Sequence, residues 1–220
     1  MVVDAPSVVS EARGRNANNP YHRGAGLYEL NLSLPVISSI RRQEARAVVD
    51  LVSTYANPGG RALEIGPGTG FYTIELARLF REVVAVEDSS TMAGLLREKL
   101  NGARVSNVTI ANCDFMTKPV EGRFDVAVAI GVLDYVGDPA AFVAKMCAAA
   151  DRAVILTAPH RGLWGKCFVA ANRLRGTSVY CYDHLTPNRW APEWRCVVHE
   201  VGLKTPLTKG MTLVAALERP

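Results

Sequence analysis

Three glycines at alternate places behind an acid, Glu64-Ile-Gly66-Pro-Gly68-Thr-Gly70, put a carboxylate next to backbone that can bend where side chains cannot. Glycine enters the positive-φ region without penalty and lets a ligand approach where a β-carbon would block it. The amides at the start of a following helix favour electron-rich atoms. A second acidic pair, Glu87-Asp88, stands about twenty residues further on, where a carboxylate can accept from two vicinal hydroxyls. A fourth acid, Asp114 in Asn112-Cys113-Asp114-Phe115, taken alone reads as a turn residue. His160 adds a group that exchanges protons near neutral pH. Together these residues can grip a flat, polar ligand and manage a proton beside it.

The loop is not a dinucleotide fingerprint, since that pattern wants glycine or alanine five places after the first glycine and Phe71 stands there. Acid-x-Gly-x-Gly-x-Gly resembles instead the first motif of class I S-adenosylmethionine-dependent methyltransferases, of the type 11 kind. The resemblance implies that Glu64, Gly66, Gly68 and Gly70 pack on the methionine half of S-adenosylmethionine, which leaves as S-adenosylhomocysteine. It also implies that Glu87 holds the ribose, with Asp88 as rival, and that Ser89 and Met92 complete the second motif. By the same resemblance Asp114 would accept from the adenine amine with Phe115 or Cys113 flanking the ring, and Ile130 would bind the cofactor from a fourth strand, Phe124 to Ile130, that leads on to Tyr135.

These residues need a scaffold that brings them to one edge. Apolar runs at 61–63, 83–86, 108–111, 124–130 and 153–158 alternate with helical stretches, among them Phe71 to Phe80 and one begun by Asp138-Pro139. That order predicts an α/β, Rossmann-like, doubly wound and mainly parallel sheet with helices on both faces. The family resemblance implies seven strands, with a C-terminal antiparallel hairpin formed by Leu203 to Leu207 and Met211 to Leu217. A helix is expected around Pro192 to Val201, stopped by Gly202.

A chain of 220 residues with 49% hydrophobic content supports one core. We therefore expect a flexible tail over 1–20 and a single domain over 21–220, with 21–56 a helical lid and 159–185 an insertion on the substrate side. Tyr21 to Ser33 loosely resembles the opening of the ubiquinone and menaquinone C-methyltransferases, with Tyr28 the best match, although a helix-packing tyrosine reads equally well. Within 161–175, cations interleaved with Leu163, Trp164, Phe168 and Val169 predict a basic amphipathic helix that caps an apolar acceptor or touches a membrane surface. A helix packed on the domain's own core is as good a reading.

Catalysis is expected to rest on holding the acceptor in line with the S–CH3 bond. Where the acceptor must lose a proton, His160 is the candidate base, with Tyr28, His22 and Tyr135 behind it. The acceptor is read as a small molecule or lipid-like compound, partly apolar. A nucleic-acid or protein methyltransferase and a non-catalytic S-adenosylmethionine binder remain as alternatives. A net charge of +4 shows no dedicated nucleic-acid module, and Asn18-Asn-Pro20-Tyr21 lacks the buried strand that base methylation requires. Five unpaired-looking cysteines predict thiols, and Cys181, Asp183 and His184 lack the second pair a metal site would need. No run is long and apolar enough to span a bilayer, and a cytoplasmic location is expected. Nothing in the residues fixes the oligomeric state.

Overall fold

A computed structural model describes residues 35–174, 177–184, 186–202 and 211–220. The strands are β1 (Asn57–Ile65), β2 (Phe80–Val86), β3 (Val108–Ala111), β4 (Phe124–Ala129), β5 (Ala150–Pro159), β6 (Arg195–Val201) and β7 (Thr212–Glu218). They form one seven-stranded sheet in the order β3-β2-β1-β4-β5-β7-β6. β1 to β5 are parallel neighbours, whereas β7 lies antiparallel between β5 and β6.

Alternate residues of a strand face opposite sides, and both sides here are apolar. Leu63, Ala127, Ala129 and Leu156 face helix α4 (Pro139–Ala149), which contributes Phe142 and Met146. Ala62, Val83, Val126 and Ile155 face the other layer, made of α1 (Pro35–Thr54), α2 (Phe71–Leu79) and α3 (Ser90–Gly102), through Val48, Leu76 and Leu96. Each such fully buried Leu or Phe is worth about 1.5–3 kcal/mol relative to exposure. A sheet covered on both faces needs strands that read as unbroken apolar runs, which is why β1 to β5 stand out in the sequence.

Asp138 caps α4 by accepting from Ala141 N at 3.0 Å, and Pro139 opens the helix. The expected amphipathic helix is α5 (Leu163–Leu174), followed by short α6 (Thr186–Trp190). The expectation for Pro192 to Val201 is corrected: after a turn at 192–194 it is strand β6, Arg195–Val201, and the C-terminal hairpin is β6 with β7. All its residues but Val201 are exposed or half-exposed, as suits an edge strand, and their mixed polarity imitates a helix until β7 supplies a partner. Residues 203–207, assigned to that hairpin, lie outside the described residues.

Strand order reverses between β1 and β4, so the loops after these two strands diverge and leave a crevice at their carboxyl ends.

Candidate functional site

The glycine loop forms one wall of this crevice. Gly66, Gly68 and Gly70 have φ of 66°, 56° and 79°. A Cβ on Gly66 would stand 2.6 Å from Val132 Cγ2 in the loop after β4, and one on Gly70 would overlap Leu96 of α3. The nearest atom to a Cβ on Gly68 would be Met92 Cε at 3.8 Å, so there the loop borders space rather than packed atoms. Gly131 in the opposite loop also has positive φ, at 69°, with nothing within 4 Å of its would-be Cβ. Thr157 Oγ1 accepts from Gly131 N at 2.8 Å and holds that turn. The crevice thus runs between Gly68 and Gly131.

Two buried carboxylates serve it. Glu87, at the end of β2, accepts from Ser89 N at 3.0 Å and from Gly68 N at 3.3 Å, so its carboxylate reaches across to the glycine loop. Burial raises its pKa, opposed by those amide hydrogen bonds. Asn112 Nδ2 donates to Glu87 O at 2.6 Å, which fixes the end of β2 to the loop after β3. Its neighbour Asp88 is exposed. Glu64 is 2% exposed at the end of β1, and burial, with the charge of Glu87 adding to it, pushes its carboxyl up to about 7. Among the described residues, Glu64 Oε2 has no hydrogen-bond partner. A buried polar atom left without a partner costs about 1–3 kcal/mol, and a cationic ligand group would relieve it.

The remaining predicted residues fall around the same edge. Met92 is buried, and its amide donates to Ser89 Oγ, the cap of α3, at 3.4 Å. Asp114 is exposed and its Oδ1 accepts from Met116 N at 2.7 Å. Phe115 is turned inward, edge-to-face with Phe142 at 5.1 Å between centroids. Half-buried Cys113 stands beside it. Ile130 closes β4 and packs on the α1–α3 side of the sheet.

His160 follows β5, with its amide donating to Met211 O at 3.0 Å and a bridge to Tyr182. The ring is half-buried, and its Nδ1 has no partner among the described residues. Of the other expected proton carriers, Tyr28 and His22 lie outside the described residues, and Tyr135 ends the 3-10 turn Leu133–Tyr135 after β4.

One residue here gave no signal in the sequence. Asp134 sits in the 3-10 turn Leu133–Tyr135 after β4, is 9% exposed, and burial pushes its carboxyl up to about 7. Arg41 and Glu44 of α1, themselves paired at 2.9 Å, face it electrostatically, the first lowering and the second raising its pKa. The turn is clamped from the far side, since Tyr180 N donates to Asp134 O at 2.9 Å and Tyr182 Oη to Leu133 O at 3.1 Å. Burial, which makes Asp134 distinctive, is a property of the folded chain and not of the turn's residue types.

Residues 63–152 match the model of a family described as a methyltransferase domain. Residues 63–152 are a methyltransferase domain. The small-subunit ribosomal RNA methyltransferase A of Desulforapulum autotrophicum is 40% identical over 77 residues, which cover 34% of this chain and 27% of that enzyme. The chain therefore spans well under half the length of this relative. Among solved structures, the magnesium protoporphyrin IX methyltransferase of Synechocystis PCC 6803 with bound S-adenosylmethionine superposes with a TM-score of 0.69. It is 15% identical, over 92% of this chain and 95% of that one. The N-methyltransferase NodS of Bradyrhizobium japonicum WM9, with bound S-adenosylhomocysteine, gives a TM-score of 0.67 at 16% identity, over 91% and 95%. At such identities the fold is what is shared. The residues present in the methyltransferase domain fit its cofactor: a positive-φ glycine cradle, a buried carboxylate bonded to that cradle, and an unpartnered buried carboxyl oxygen.

Proposed function

We propose that this chain transfers the methyl group of S-adenosylmethionine to a small-molecule or lipid-like, partly apolar acceptor. The observation that carries the acceptor reading is an apolar groove of about 640 Å³ beside the crevice, between α5 and residues 179–181. Sites for small ligands commonly measure about 300–1,000 Å³ and are mostly apolar.

The sulfonium, when bound, supplies an already activated methyl group, so the chain's own task is to hold, orient and keep water out. In this reading Glu87 accepts from the ribose hydroxyls in place of Gly68 N, Asp114 accepts from the adenine amine, and Cys113 and Phe115 border the ring. Gly66, Gly68 and Gly70 let the backbone meet the amino-acid end, Glu64 faces its positive charge, and Met92 and Ile130 fill in around it. His160, with an unpartnered Nδ1 at the end of β5, takes the proton of an oxygen or nitrogen acceptor as the methyl arrives. Tyr28 of the N-terminal segment is the second candidate for that role. The 40% identity to a ribosomal RNA enzyme lies in a stretch of 77 residues and leaves the acceptor side open.

The test is to incubate the protein with methyl-labelled cofactor and fractionated cell extract. Label in small-molecule or lipid fractions is the expected result. Label confined to polymer fractions would overturn the acceptor class, and binding without any transfer would overturn the activity. Glu87→Ala should weaken cofactor binding at least about tenfold, because two hydroxyls lose a charged acceptor. Unchanged affinity in calorimetry would remove Glu87 from the site.

A further inference from the structure

Helix α5 is amphipathic, yet Gly165 alone among its residues is buried, and Leu174 is 90% exposed. Its apolar stripe is not used to cover the domain's core. Lys166, Val169, Ala170, Arg173 and Leu174 stand at i, i+3, i+4, i+7 and i+8, one face of the helix, and all of them line the groove. The stripe spans about 12 Å at 1.5 Å per residue.

The opposite wall is Val179, Tyr180 and Cys181. Gly165 brings the two walls together, since a Cβ there would overlap the His160 carbonyl and stand 3.2 Å from Cys181 Sγ. Tyr180 N donates to Asp134 O, so this wall is tied to the turn that bounds the crevice. The groove runs along α5, and its walls adjoin His160 through Arg161 and Asp134 through Tyr180.

Its charge is one-sided. Among the described residues, Arg161, Lys166 and Arg173 line it and no acidic residue does. Among the described residues, none of these three cations is in an ion pair. Arg161 Nε and Nη2 donate to Cys181 O at 3.3 Å, which orients the guanidinium without a counter-charge among the described residues. An apolar trough with three unmatched cations is complementary to one kind of molecule.

We infer that the groove binds a monomeric anionic amphiphile, its apolar body along Val169, Leu174 and Val179 and its anionic group held by Arg161, Lys166 and Arg173. This deepens the acceptor class proposed above and rests on that reading for its link to methyl transfer; the binding itself does not depend on it.

The test uses the full chain and three probes: decanoate, decyltrimethylammonium of similar apolar body and opposite charge, and vesicles of phosphatidylglycerol. Calorimetry should show decanoate binding that weakens with salt, with no binding of the cationic probe. Binding should fall at least tenfold in Lys166→Ala/Arg173→Ala and in Val169→Asp, with circular dichroism and cofactor affinity unchanged. Equal binding of both amphiphiles, or decanoate binding indifferent to these variants, overturns the inference. So does association with vesicles without binding of decanoate. Cofactor titration of the unaltered protein keeps the two readings apart, because failure to bind S-adenosylmethionine strikes the methyltransferase proposal and leaves the decanoate result standing.

Discussion

Replacing Glu64 with Gln keeps the shape of the side chain and removes its ability to ionise. The carboxyl is pushed from 4.5 to about 7, chiefly by burial, a gap that corresponds to about 3 kcal/mol. The unfolded chain ionises near the lower value while the folded protein keeps the proton until the upper one, so unfolding releases a proton in between. The residue's contribution is therefore most favourable below pH 4.5, declines by about 1.4 kcal/mol per pH unit up to about 7, and is flat above. Glu64→Gln has no such decline. In urea denaturation of the cofactor-free protein, its advantage over the parent should grow by about 2 kcal/mol between about pH 5.5 and pH 8. Asp134, raised in the same direction, is present in both proteins and cancels in the difference. The cofactor adds a second readout. If its positive end faces Glu64, binding near pH 6 should expel about one proton from the parent and distinctly fewer from Glu64→Gln, measured by calorimetry in buffers of different ionisation enthalpy. A stability difference that does not vary with pH would refute the argument that this carboxyl is held protonated by its surroundings.

Other substitutions test the parts separately. Gly70→Ala combines a φ of 79° with overlap onto Leu96, and should lower stability by at least about 2 kcal/mol in urea denaturation. His160→Ala should leave cofactor affinity intact and lower kcat, with the loss largest at the pH where the parent is fastest; a fully active variant removes it from the chemistry. Tyr182→Phe deletes the hydroxyl that donates to Leu133 O and should cost about 1 kcal/mol by thermal denaturation, while releasing the turn that carries Asp134.

The parts of this fold that could be read from residues alone are those whose physics is local. The runs of β1 to β5 are apolar on both faces because both faces are covered, so they announce themselves. The glycine loop is legible because positive φ selects glycine, and Asp138-Pro139 because a cap and a first-turn proline act within four residues. β6 was illegible for the opposite reason. Arg195, His199 and Glu200 break its alternation, and only pairing with β7 makes it a strand. At the crevice, the adjacent acids Glu87 and Asp88 differ in sequence only by the motif's preference for Glu87, whereas the fold buries Glu87 against Gly68 N and leaves Asp88 exposed. Asp134 drew no attention because an acid in a turn is ordinary until Tyr180, Tyr182 and α1 close around it.

The position of β7 has a bearing on assembly. β6 touches the rest of the sheet only through β7, although it is made first. Within the sheet it has no strand to pair with until a later stretch of polypeptide has been added alongside β5. For that interval Arg195–Val201 waits without its neighbour, so the order of construction of this edge is the reverse of the order of translation, and the final piece to arrive is the one that locks both.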